Sequence, residues 1–188
     1  MTMNDLTFYH REIAPQVENW DLFTYRTHGV VSSIIHYWSP DNHASGGLRL
    51  PQYDGLKNRR WTLEALGGGV KMSLLSKVLE KVNGQVYWHQ LKPEFKDMRD
   101  EAACWGLEQV GTTRYDFKAL LQMAFGWVSP DAAKLVCSEY WYFGTVLAKM
   151  IAEQDKIPTP SDLPKLGLTL PPILIVESEP VVWQPVTP

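Results

Sequence analysis

Stretches of alternating and of helically spaced apolar residues succeed one another along this chain. Residues 20–26 (WDLFTYR) are dense in aromatic and strand-favouring side chains and predict a strand. In 30–38, Val30, Val31, Ile34, Ile35 and Trp38 recur at helical spacing. Pro40, Asp41 and Asn42 make a turn. Residues 43–50 (HASGGLRL) then alternate, with Ala44, Gly46, Leu48 and Leu50 on one face and His43, Ser45, Gly47 and Arg49 on the other. Gly46 and Gly47 would let another backbone or a substrate come close. A polar tip, 51–60, leads to the strand 61–66, where Thr62, Glu64 and Leu66 face opposite to Trp61, Leu63 and Ala65.

The triple glycine at 67–69 reads as a turn, because it lacks the GxxxxGK(S/T) frame of a phosphate loop. A short strand follows at 70–72, then an amphipathic helix over 73–82 with Ser73 as N-cap, then a strand over 85–91. Helices are predicted at 93–110, 115–125 and 137–152. Prolines 158, 160 and 164 punctuate a loop before a terminal strand over 173–183. Strands that meander between helical segments predict an α+β fold rather than β-α-β alternation. No repeat or linker divides residues 1–188, so one domain is expected, with 1–19 as an N-terminal arm or short helix and 169–188 as a Pro-rich C-terminal segment.

Composition narrows the function classes. Of 188 residues 45% are hydrophobic and 21% charged, which excludes global disorder. A net charge of -3 argues against nucleic acid or an anionic membrane as partner. No apolar run reaches the ~20 residues of a membrane span. The N-terminal residues lack a basic region followed by an apolar core, so no signal peptide is read and a cytoplasmic protein is expected, with release by lysis or dedicated export as the other route. Two cysteines make no disulfide framework, and no Cys/His cluster has zinc-ligand spacing.

The chemistry concentrates on Cys137. It opens an apolar segment read as a helix, where the helix dipole favours a thiolate. All five histidines precede both cysteines, so a Cys–His site here carries its base first, the reverse of the papain order. His43 is the leading base and His89 its rival. Cys104, inside 93–110, reads as core packing. Glu64 is an acid within an apolar strand and needs a partner, either an imidazole or Arg49 or Arg60. Tyr25 lines a cleft or packs. Tyr115 and Asp116 shape a pocket, or Asp116 caps its helix.

Several segments in order carry a resemblance. Trp20-Asp21-Leu22-Phe23, Val31-Ser32-Ser33-Ile34-Ile35, Asn42-His43-Ala44, Leu63-Glu64-Ala65, Gly69-Val70, Gly111 to Asp116 and Cys137-Ser138-Glu139 together resemble the circularly permuted NlpC-type papain-like hydrolases of the YiiX branch. The likeness covers about residues 20–168, and Trp20 stands where that family usually places Gly before Asp. It implies a small antiparallel sheet packed against helices. It also implies Cys137 as nucleophile, His43 as general base, Glu64 as the residue orienting the imidazole, and no cofactor or metal. Amide bonds of cell-wall-type peptides are the first expected substrate. A lipid acyltransferase or thioesterase acting on acyl substrates is the second expectation. A non-catalytic component of a phage or secretion-system particle is the third.

Overall fold

The computed structural model describes residues 4–27, 41–66, 69–111 and 136–178. The helices expected over 30–38 and 115–125 lie outside these residues. The described part is α+β. Strands β1 (Leu22–Thr27), β2 (His43–Leu48), β3 (Trp61–Leu66), β4 (Gly69–Leu74), β5 (Gly84–His89) and β6 (Ile173–Glu177) form one sheet in the order β4-β3-β2-β1-β5-β6, with every neighbouring pair antiparallel. The central pairing sets Tyr25 of β1 opposite His43 of β2, and Leu63 of β3 opposite Gly46 of β2.

Each face of the sheet buries its own core. Ala44, Leu48, Leu63, Ala65 and Val70 pack under the helix Val136–Leu147 through Tyr140, Trp141, Tyr142 and Phe143. Phe23, Tyr25, Val86 and Trp88 face the other way, onto Tyr9, Ile13 and Val17 of the N-terminal segment and Leu75 and Leu79 of the helix Leu75–Leu79. Residues 4–17 are therefore part of the fold, with a single π-helical turn at Tyr9–Ile13.

Trp20 joins the layers. Its indole Nε1 donates to the Trp141 carbonyl at 3.3 Å, and Trp141 Nε1 donates back to the Trp20 carbonyl at 3.1 Å. The ring fills space left by two glycines, for a Cβ on Gly144 or Gly106 would lie 2.1 or 2.4 Å from it. Next to it Asp21 is fully buried, accepting the N–H groups of Glu18 and Leu91 and the Trp88 indole at 2.9 to 3.0 Å. Burial pushes its carboxyl up to about 6, against those three donors and Arg99. The β2 glycines serve this packing. A Cβ on Gly47 would meet the Glu18 carbonyl at 2.9 Å, so the close neighbour is the chain's own backbone.

Several helix boundaries differ from the sequence expectation. Ser73 does not cap a helix; it lies in β4 opposite Thr62, and the helix begins only at Leu75. The 93–110 segment splits into a 3-10 turn, Pro93–Phe95, and a helix, Arg99–Glu108. Cys104 points out of that helix and is exposed, a correction to the core reading. The cysteine-bearing helix stops at Leu147 instead of 152, because Lys149 turns left-handed at φ 58 and the Met150 N–H returns to the Thr145 carbonyl. The terminal strand is described as Ile173–Glu177, and the expected residues beyond 178 lie outside the description.

Candidate active site

Three segments distant in sequence bring Cys137, His43 and Glu64 together. Cys137 sits in the first turn of Val136–Leu147 and is buried. His43 is the first residue of β2, held there by Asn42. The Asn42 backbone N–H donates to the Tyr25 carbonyl at 2.9 Å, and its side-chain amide donates to the Thr27 carbonyl at 3.0 Å. Glu64 is in the middle of β3. Continuing the β2–β3 register one step from Gly46↔Leu63 places Glu64 opposite Ser45, diagonal to His43 and on the same face.

His43 Nε2 lies 3.0 Å from Glu64 Oε2, and the two side chains are 20% and 8% exposed. The other ring nitrogen, Nδ1, is left for the thiol, to which the imidazole is also hydrogen-bonded. Alternation along β2 puts His43 on the face away from the cysteine helix. Its place at the strand end lets the ring meet a thiol arriving from the other layer. The Ala44 N–H, on the strand itself, points at the same sulfur, as does the Ser138 N–H.

The electrostatics favour a charged pair. Burial alone would raise the Cys137 thiol, but the adjacent imidazolium and the two backbone N–H groups outweigh it and hold the thiol below its ordinary value. Burial would likewise discharge His43, but the thiolate and the Glu64 carboxylate push the imidazole well above its ordinary value. An imidazolium between two anions and a thiolate on a helix N-terminus stabilise each other.

Glu64 pairs with neither arginine. The Arg49 guanidinium is on Glu18, and the Arg60 guanidinium donates to the carbonyls of Lys57, Arg59 and Pro15. His89 is not in this arrangement. It is 3% exposed, its Nε2 shares a hydrogen bond with the Thr24 hydroxyl at 3.0 Å, and burial pushes it down to about 4. It is a neutral core histidine.

Tyr25 is 2% exposed and offers no surface to a substrate, a correction to its reading as a cleft residue. It lies beneath His43, with ring centroids 5.1 Å apart and planes tilted by 49°. Its hydroxyl is 3.0 Å from Ser45 Oγ, which accepts from the Thr62 hydroxyl at 2.6 Å. Neither Ser45 nor Thr62 belongs to the site residues expected from the sequence. The available signal was their spacing, two residues from His43 and from Glu64 on the same strand faces. Tyr115 and Asp116 lie outside the described residues.

Among the described residues no group of His, Cys, Asp and Glu side chains is arranged to hold a metal ion. No helix among them is long and apolar enough to cross a membrane. Compared with models of known protein families the chain matches none, and it matches no curated protein.

Proposed function

We propose that this chain is a thiol hydrolase that cleaves amide bonds, with Cys137 as nucleophile, His43 as general acid and base, and Glu64 as the orienting carboxylate. The observation that carries the reading is the unbroken chain from a first-turn thiol to an imidazole to a carboxylate, with the thiol lowered and the imidazole raised. Such a constellation is recognised by geometry and roles rather than by sequence order. The resemblance to permuted NlpC-type hydrolases supports the same roles and the permuted papain-like topology. Trp20 fits that likeness, since at φ 62 it holds the left-handed conformation that a glycine takes most readily.

In the mechanism, the Cys137 thiolate attacks the carbonyl carbon and a C–S bond forms while the carbonyl π electrons move to oxygen. The Cys137 N–H, in the first turn of its helix, is the first oxyanion donor. The His43 imidazolium gives its Nδ1 proton to the departing amine as the C–N bond breaks. Neutral His43 then takes a proton from water, the hydroxide attacks the thioester, and the acid is released with the thiolate restored. Glu64 keeps Nε2 protonated throughout and so fixes the tautomer that makes Nδ1 the working nitrogen.

Cell-wall stem peptides are the first substrates to test. Wild-type protein and Cys137→Ala are incubated with stem peptides and, separately, with acyl esters, and products and protein mass are read together. Peptide cleavage with an acyl adduct on Cys137, absent in Cys137→Ala, supports the reading. Turnover of esters alone would move the substrate class to acyl lipids, and turnover that survives Cys137→Ala would reject the mechanism.

A further inference from the structure

We infer that Tyr25, held by the buried hydroxyls of Ser45 and Thr62, is a positioning residue that fixes the plane of the His43 imidazole between Cys137 and Glu64. The inference rests on the thiol-hydrolase reading and adds residues to its machinery.

The hydroxyls stand in apolar surroundings. Ser45 and Thr62 are fully buried and Tyr25 almost so, on the sheet face that carries the apolar side chains Phe23, Val86 and Trp88 beside His43 and Glu64. Burying a hydroxyl is costly unless it is bonded, and apolar groups of the same shape would pack there at least as well. These three satisfy one another, Thr62 donating to Ser45 at 2.6 Å and Ser45 sharing a proton with Tyr25 at 3.0 Å. The chain ends on the phenol directly opposite His43 in the β1–β2 register. Each member is tied to the site: Ser45 shares its strand face with His43 and lies opposite Glu64, and Thr62 shares its face with Glu64.

The geometry explains what the cluster does. An imidazole at a strand end has one loose torsion about its Cβ–Cγ bond, and a small rotation would take Nδ1 off the sulfur. The Tyr25 ring, 5.1 Å from the imidazole centroid, blocks that rotation on the β1 side, and its own position is fixed by the hydroxyl bond to Ser45. Burial and the Glu64 charge keep the phenol neutral, so it adds no competing anion. Misplacement of a catalytic group by even an ångström is expensive in rate.

The test reads the thiol rather than turnover. In a Cys104→Ser background the rate of Cys137 alkylation by iodoacetamide is followed against pH, with circular dichroism as the check on folding. Tyr25→Leu and Thr62→Val are expected to raise the apparent thiol pKa, cutting alkylation at acidic pH about tenfold for a shift of one unit. Tyr25→Phe, which keeps the ring, should show a smaller effect, and Thr62→Ser, which keeps the donor, should match the wild type. Folded Tyr25 and Thr62 variants that titrate as the wild type does, with a depressed wild-type pKa, overturn the positioning role alone. A wild-type Cys137 that titrates as an ordinary thiol overturns the hydrolase reading first. Should Tyr25→Leu fail to fold, Tyr25→Phe and the Thr62 pair decide.

Discussion

His43 Nε2 and Glu64 Oε2 meet at 3.0 Å across the β2–β3 pairing, on the sheet face opposite to the helix that carries Cys137. The imidazole thus meets a carboxylate from one layer and a thiol from the other. A carboxylate there costs desolvation, and the imidazolium offsets it.

We predict that Glu64→Gln lowers turnover and raises the apparent Cys137 thiol pKa while the fold stays intact. Glutamine retains the shape and one acceptor but removes the charge that favours the imidazolium. Thiol titration and thermal melting of the same variant decide: an unchanged thiol pKa with full activity would remove Glu64 from the site.

Substituting His43 or Cys137 by Ala is expected to abolish hydrolysis, and the double variant should be little worse than either, because groups that act as one unit are non-additive. Steady-state rates of the three variants check this. Additive losses would mean that the two residues act separately.

Tyr25 shows where reading from sequence stops. The strands around the site were legible because alternation and turn residues mark them, and the order of His43, Glu64 and Cys137 pointed to a thiol site. Pairing register is not written in a single strand. The chain could not say that Tyr25 falls opposite His43, nor that Ser45 and Thr62 close a hydroxyl chain beneath it. Helix ends failed for local reasons. Pairing with Thr62 draws Ser73 into β4, and the left-handed Lys149 ends a helix whose apolar pattern runs on through Met150 and Ile151. Cys104 faces solvent because Ala102, Ala103 and Gly106, not the thiol, take the buried side of its helix.

Gly144→Ala should destabilise the protein without touching Cys137, His43 or Glu64. A Cβ there would lie 2.1 Å from Trp20 Cζ2, in a residue whose indole N–H and backbone carbonyl are both bonded to Trp141. Overpacking of this kind costs about 1–3 kcal/mol, which for a chain of this size lowers Tm by roughly 2–12 °C. Calorimetry checks it, and an unchanged Tm would mean that the Trp20 slot can open.

The buried His89 makes the fold sensitive to acid. Its folded value, about 4, lies below the ordinary 6.5, so its contribution is whole above pH 6.5 and is lost as pH falls toward 4. Asp21 acts in the opposite sense. Its folded value, about 6, lies above the ordinary 3.8, so its contribution is whole below 3.8 and is lost as pH rises through 6. Relative to wild type, His89→Gln should therefore gain on the order of 2 kcal/mol between about pH 7 and about pH 4.5. Urea midpoints at the two pH values measure it, and parallel shifts in both proteins would show that His89 is already charged in the fold.

The most direct measurement is the pH dependence of Cys137 alkylation in the Cys104→Ser protein, with and without His43→Ala. Labelling is expected to be rapid, to persist at mildly acidic pH and to collapse when His43 is removed, since the imidazolium holds the thiolate. A wild-type inflection at the ordinary thiol value of roughly 8.5, indifferent to His43→Ala, would contradict it.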